Sequence, residues 1–306
     1  MNRLALLVIV AGALLAPATP AFAHGGDVPD PTAYRIRITG ISPPEPGLTI
    51  RTVEAGARLE LENETGHSVE VLGYSGEPYL DVRPDGTWQN INSPADPTAP
   101  PSWRKVSSAT TVRWHDDRVR WLGPGLLHRP QNWTVPLREQ TRVFPLTGTV
   151  AWEAPPRAGL WWTFAALCAI TAFALLRRWP RGLRPVALIG GLSPLAYAVS
   201  TTLDGGTPSP VLVVAGLLPL AAVVRHPPFY LALSGTCLAL FAGITQTAAF
   251  GAAVLPTAGP PELSRAFVAM ALGVGVAMAV TGVMRLRAAL PPARPEVSED
   301  RTMVVA

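Results

Sequence analysis

Between Gly159 and Met284 the chain is almost continuously apolar, and this stretch constrains the fold more than any other feature. A bilayer core of ~30 Å is crossed by a helix of ~20 apolar residues, because lipid offers no partner to an open backbone N–H or C=O. Five such runs are read, at about 159–176, 185–203, 208–224, 229–251 and 266–284. The expectation is an all-α transmembrane bundle of five helices, with Pro194 and Pro219 as kink sites and Ala269, Gly273 and Ala277 as a stripe of small residues for close helix contact.

The loops between the runs carry a topology signal. Arg177, Arg178, Arg181 and Arg184 follow the first run, Arg225-His226 follow the third, and Arg285 and Arg287 follow the fifth. The connections at 204–208 and 252–264 have no basic residue, and Arg265 stands at the edge of the fifth run. By the positive-inside rule the segment before residue 159 lies outside a plasma membrane and the Pro-rich, charged tail 285–306 lies in the cytoplasm, expected disordered.

The first residues agree. Met1-Asn2-Arg3, the apolar run Leu4–Leu15 and the ending Ala21-Phe22-Ala23 form the n-region, h-region and A-x-A pattern of a signal peptide, expected to span 1–23. Cleavage there leaves His24 as the mature N-terminus and 24–158 as an exported domain.

That domain has a different composition. It holds 14 Lys and Arg against 16 Asp and Glu, so the basic excess of the whole chain is a loop signal and nucleic acid is not an expected partner. Its residues alternate at strand period: Tyr34, Ile36 and Ile38 share a face, as do Leu59 and Leu61, and Val69 and Val71. Further strands are read at 48–53, 79–83, 110–115, 133–138 and 142–152, separated by turns at Glu54-Ala-Gly, Asn63-Glu-Thr-Gly and Pro84-Asp-Gly. The spacing predicts an all-β, immunoglobulin-like sandwich. Segment 92–103 reads as a long Pro-rich loop. Most of the tryptophans are assigned to the core, and Trp152, Trp161 and Trp162 to an interfacial belt. Cys168 and Cys237 both fall in apolar runs, so no disulfide can staple the exported domain.

The densest candidate site is Val112–Trp121, containing His115-Asp116-Asp117. On a continuous strand His115 and Asp117 would share one face and approach one ligand together. An Arg–Asp network of Arg113, Arg118 and Arg120 with Asp116 and Asp117 is the structural alternative. A mature His24 offers a metal its amine and its ring nitrogen. With imidazoles or a carboxylate added, this makes the tetragonal N/O donor set that Cu(II) prefers. The candidate ligands are His24, His115, Asp117, His67 and His128.

The Ala23/His24 junction, the domain size and the Trp-rich strands resemble membrane proteins of actinobacteria that carry a secreted β-sandwich ahead of several spans, and, more loosely, the CopC-type copper-resistance proteins. The resemblance implies an N-terminal histidine brace. Related chains tend towards His-Asp-His where this one has His115-Asp116-Asp117.

No G-x-S-x-G, Walker A, dinucleotide fingerprint or H-E-x-x-H occurs, and an enzyme is not expected. The expected function is a membrane-anchored extracytoplasmic binding role, in copper(II) handling through His24. The alternative is a protein-interaction or assembly module. Its sandwich would dock a partner through the 92–103 loop and Glu77-Pro78-Tyr79, and its spans would pack against another membrane subunit. A small transporter is disfavoured, because the middles of the spans hold no Asp, Glu, Lys or Arg.

Overall fold

The computed structural model describes residues 30–120, 129–179, 181–224 and 227–289. Strands come first: β1 (Tyr34–Ile41), β2 (Leu48–Val53), β3 (Arg58–Asn63), β4 (Val69–Leu72), β5 (Pro78–Arg83), β6 (Gly86–Asn90), β7 (Trp103–Ser107), β8 (Thr111–Trp114), β9 (Gln131–Glu139) and β10 (Arg142–Trp152). They form a seven-stranded sheet in the order β1-β10-β9-β4-β5-β6-β7 and a three-stranded sheet β2-β3-β8, with every pairing antiparallel.

The alternation read from the sequence places the core. Trp133, Val135 and Leu137 of β9 and Phe144, Leu146 and Val150 of β10 point inward, against Leu59 and Leu61 of the smaller sheet. Trp133 lies across Gly148, its register partner, where a Cβ would fall inside the indole. The core assignment of tryptophan holds for Trp114 and Trp133, each 4% exposed. Trp88 and Trp103 instead stand on the outer face with Arg83 between them, 4.8 and 5.5 Å from the two rings. Two strands go unread in the sequence: β6, which follows the Pro84-Asp-Gly turn, and β7, which begins at Trp103, the last residue of the expected 92–103 loop.

Among the described residues, four helices or helix-like runs are long and apolar enough to cross a membrane. These are α1 (Ala158–Arg178), α2 (Leu183–Leu203), the run Pro228–Phe250 and α5 (Pro261–Ala288). The run 208–224 gives only α3 (Pro210–Ala222), whose 13 residues rise about 20 Å. Ser209 caps its start by accepting from Leu212 N–H, and Pro227-Pro228 open the next helix, so chain chemistry at both ends keeps it short. The run Pro228–Phe250 is not one regular helix. It begins as α4 (Pro228–Cys237), loosens to π geometry over Leu238–Gly243 and tightens to a 3₁₀ coil over Ile244–Phe250.

Small residues set the helix spacing. A Cβ on Gly273 would overlap α1 at Ala165 and Cys168, and one on Gly275 would overlap Ala239. The stripe of Ala269, Gly273 and Ala277 is therefore a packing surface, as the spacing predicts.

The two parts meet on one side of the bundle. Thr32 and Val254 exchange backbone hydrogen bonds of 2.9 Å in both directions. Asp204, at the end of α2, accepts from Glu54 N–H through its carbonyl and from Ala55 N–H through its carboxylate, both at 3.1 Å. Arg113 donates to Gly205 O at 2.6 Å. Burial holds the Asp204 carboxyl above its usual range, against the two backbone bonds that favour its charge. At the far side of the bundle Arg285 donates to Leu176 O at 2.8 Å.

Candidate functional site

The site grows from the end of β8. The Asp-Asp pair after His115 stops the strand at Trp114 and starts a 3₁₀ turn over Asp117–Val119. Asp116 caps that turn by accepting from Arg118 N–H at 3.1 Å. It also accepts from Trp114 Nε1 at 3.2 Å and from the Arg118 guanidinium at 2.8 and 2.7 Å. Arg118 then reaches across to the turn after β4, donating to Leu72 O and Gly73 O at 3.0 and 3.3 Å. Its guanidinium lies 5.0 Å from the Tyr74 ring centre, and Tyr74 Oη accepts from Asp117 N–H at 2.9 Å.

Behind this wall sits Glu77, 6% exposed. It accepts from Ser75 N–H at 2.9 Å and from Ser93 Oγ at 2.7 Å. Burial opposes its charge, but these bonds and the nearby Arg118 outweigh burial, so the carboxyl is held below its ordinary value. Gly73 leaves room here, since a Cβ would fall on the Glu77 carboxylate. The Pro-rich loop is tied down by Asn90, which donates to Pro78 O at 2.8 Å and accepts from Asn92 N–H and Ser102 N–H at 3.1 and 2.9 Å. The loop presents a cis Ser93–Pro94 peptide.

These segments form a cleft of about 140 Å³ lined by Tyr74, Tyr79, Ser93, Pro94, His115 and Arg118, together with Gly73 and Asp116. Burial raises the Tyr74 and Tyr79 phenols above their usual range, so both are neutral donors at pH 7. His115 is exposed, but both ring nitrogens are engaged. Nε2 accepts from Arg58 Nε at 3.0 Å, and Nδ1 lies 2.7 Å from Ala57 O, in reach to donate to it.

The structure separates the sequence candidates. His115 sits beside Ala57, just before β3, while His67 follows β3 in the turn anchored by Asn63, whose amide donates to His67 O at 2.7 Å. They therefore stand at opposite ends of a six-residue strand, about 20 Å apart. The expectation that His115 and Asp117 share a strand face is corrected, because β8 ends before them and the exposed Asp117 carboxylate faces Arg120 at 3.8 Å. His24 and His128 lie outside the described residues. Among the described residues no group of three His, Cys, Asp or Glu side chains is placed to hold a metal ion.

The Arg–Asp network is present in altered form: Arg118 pairs with Asp116 and Arg120 with Asp117, whereas Arg113 turns away to Glu60 and Gly205. Sequence reading named His115, Tyr79 and the 92–103 loop separately, and the structure brings them to one cleft. It missed Tyr74 and Arg58. The available signal was Gly73-Tyr-Ser-Gly, a turn between two strands that leaves one large aromatic outside the core. Comparison with protein-family models, with curated proteins and with solved structures finds no match to this chain.

Proposed function

We propose that this chain is a membrane-anchored binding protein whose exported immunoglobulin-like sandwich takes an extracytoplasmic segment of another membrane protein into the Tyr74–His115 cleft. One observation carries the reading: the three segments that could recognise a partner, namely the 73–79 turn, the Pro-rich loop and the 115–118 turn, converge on one cleft at the end of the sheets that faces the helices. An occupant there lies close to the bilayer. Two neutral tyrosines, a proline and a stacked arginine offer flat, half-polar surfaces suited to an extended peptide.

The orientation follows from charge. The sandwich, the 204–208 loop and the 252–260 segment share one side, without the clustered arginines, and Arg177, Arg178, Arg285 and Arg287 share the other, which we assign to the cytoplasm. Helix α3 is then a short fifth crossing, buried at Leu212, Ala215 and Ala222 against its neighbours.

The test is photocrosslinking in intact membranes with a benzophenone amino acid at Tyr74, and in parallel at Val143, exposed at the far end of the sandwich. The expected result is a discrete adduct to a membrane protein from position 74, absent from position 143 and abolished by Tyr79→Ala. Equal or absent labelling at both positions removes the reading.

A second reading, Cu(II) binding anchored by His24, is favoured by the exposure of His115 at the cleft. A metal there must displace Arg58 from Nε2 or Ala57 O from Nδ1. Its test is an EPR titration of the full chain beginning at His24, against a chain with one added residue. Nitrogen couplings lost in the longer chain support copper, and identical weak binding removes it.

A further inference from the structure

The cleft and the membrane part are joined by a short, unusual piece of backbone. Glu54 and Ala55 both adopt left-handed conformations, φ 56° and 59°, although neither is glycine. A side chain in that region crowds the backbone, so two in succession persist only where surrounding contacts impose them. Those contacts are identifiable. Asp204 accepts from both residues' N–H groups. The Glu54 carboxylate, almost fully buried, pairs with Arg58 Nη1 at 3.3 Å. Glu54 O accepts from Ala57 N–H at 3.0 Å.

The same five-residue turn ends on the cleft. Ala57 supplies the carbonyl and Arg58 the N–H that together orient His115, and His115 is a wall of the cleft. Asp204 and His115 therefore hold opposite ends of one turn. If the Asp204 bonds are lost, Glu54 and Ala55 relax toward ordinary backbone angles. The Ala57 carbonyl and Arg58 then move, and His115 loses both ring partners at once.

We propose that the 54–58 turn couples the α2–α3 loop to the cleft, so that the seating of Asp204 against the sandwich sets whether the cleft is formed, and filling the cleft in turn secures that seating. By linkage the effect acts equally in both directions. A change in the helical part that pulls Asp204 away releases the occupant, and an occupant that holds His115 stabilises the docked loop. The purpose of this coupling rests on the cleft being a binding site, but its existence does not.

The experiment is hydrogen–deuterium exchange of the full chain in lipid nanodiscs. Asp204→Ala, which removes the carboxylate bond to Ala55 N–H and keeps the main-chain bond to Glu54 N–H, is expected to raise exchange about tenfold in the 73–79 and 114–119 segments, as well as in 54–58, while the β9–β10 hairpin stays protected and shows that the domain is folded. Asp204→Asn, which keeps a carbonyl acceptor for Ala55 N–H, is expected to exchange like the wild type. Ala55→Gly removes the cost of the left-handed conformation, so Asp204→Ala with Ala55→Gly is expected to regain protection at 73–79. Increased exchange confined to 54–58 and 204–206 would overturn the proposal, as would failure of Ala55→Gly to restore the cleft. No occupant is present in this experiment, so a negative photocrosslinking result leaves it standing, and its own failure leaves the docking reading standing.

Discussion

Arg118 grips Asp116 with two parallel hydrogen bonds, Nε to Oδ1 at 2.8 Å and Nη2 to Oδ2 at 2.7 Å. The carboxylate is almost wholly buried, with 2% of its side chain exposed, while Arg118 keeps 21%. Removing one partner of such a pair costs more than the pair contributes, because the other is left charged with nothing opposite. Asp116→Ala is expected to destabilise the sandwich by about 2 kcal/mol, less than a fully buried pair because Arg118 retains some water. Arg120→Ala, which removes an exposed partner of Asp117, is expected to change stability by under about 0.5 kcal/mol. Chemical denaturation followed by tryptophan fluorescence measures both, and equal effects would show that the fork is not what holds the turn.

The buried Glu77 makes stability fall in acid. Its folded carboxyl lies below its unfolded value, so its contribution is complete above the unfolded pKa and is lost as pH falls through the folded one. Glu60, held down by Arg51 and Arg113 against its burial, acts in the same direction. Asp204 is raised and acts oppositely, its contribution fading as pH rises through its folded value. Melting temperature is expected to drop steeply below about pH 4. Glu77→Gln should give a shallower acid limb and a lower plateau at pH 7. An unchanged limb in this variant would remove Glu77 from the account.

Much of this fold was legible because strand alternation and turn chemistry agree: Tyr34–Ile38, Leu59–Leu61 and Val69–Val71 pair on the faces the sequence assigns to them. The cleft was legible only in fragments. The strand read at 110–115, carried on through Asp116 and Asp117, would put His115 and Asp117 on one face, yet two successive aspartates favour a cap, and the cap wins. The contact between Asp204 and the 54–56 turn joins residues 149 apart in the chain. No local pattern encodes it, since left-handed Glu and Ala are imposed by tertiary contacts rather than by propensity. The short α3 follows from the bounding Ser209-Pro210 and Pro227-Pro228, signals that a hydropathy window averages away.

Two glycines test whether backbone approach, rather than turn flexibility, sets the architecture. Gly73 has no positive φ, yet its missing Cβ makes room for the Glu77 carboxylate. Gly73→Ala should expel Glu77 from its pocket and cost on the order of 2 kcal/mol. Gly66, at φ 80° with open space around it, should cost only about 1 kcal/mol on the same change. Thermal denaturation of the full chain ranks them, and the reverse order would contradict the packing argument.

In the helical part the same reasoning separates faces of α5. Gly273→Leu pushes into Ala165 and Cys168 of α1 and must part the helices, whereas Val276→Leu lies on an exposed face. The melting temperature in detergent is expected to fall by roughly 10 °C for the first and to hold within about 2 °C for the second. Equal shifts would mean that α1 and α5 do not pack through the glycine.

Arg265 carries the last prediction, because it repairs the irregular run Pro228–Phe250. A coil that ends in 3₁₀ geometry leaves carbonyls without helical partners, and where burial keeps water away such groups need another donor. Arg265, 3% exposed near the start of α5, donates to Ala249 O at 3.0 Å, Ala252 O at 2.8 Å and Ala253 O at 3.1 Å. Its ion pair with Glu262 is the lesser part, since Glu262 is 66% exposed. The fork geometry of the guanidinium therefore matters more than its charge. Glu262→Gln is expected to leave thermal stability in detergent within about 0.5 kcal/mol of wild type. Arg265→Met should lose about 3 kcal/mol through orphaned carbonyls. Arg265→Lys should fall between them, because one ammonium cannot reach all three acceptors. An Arg265→Lys protein as stable as wild type would show that charge alone suffices, and the carbonyl-capping role would have to be withdrawn.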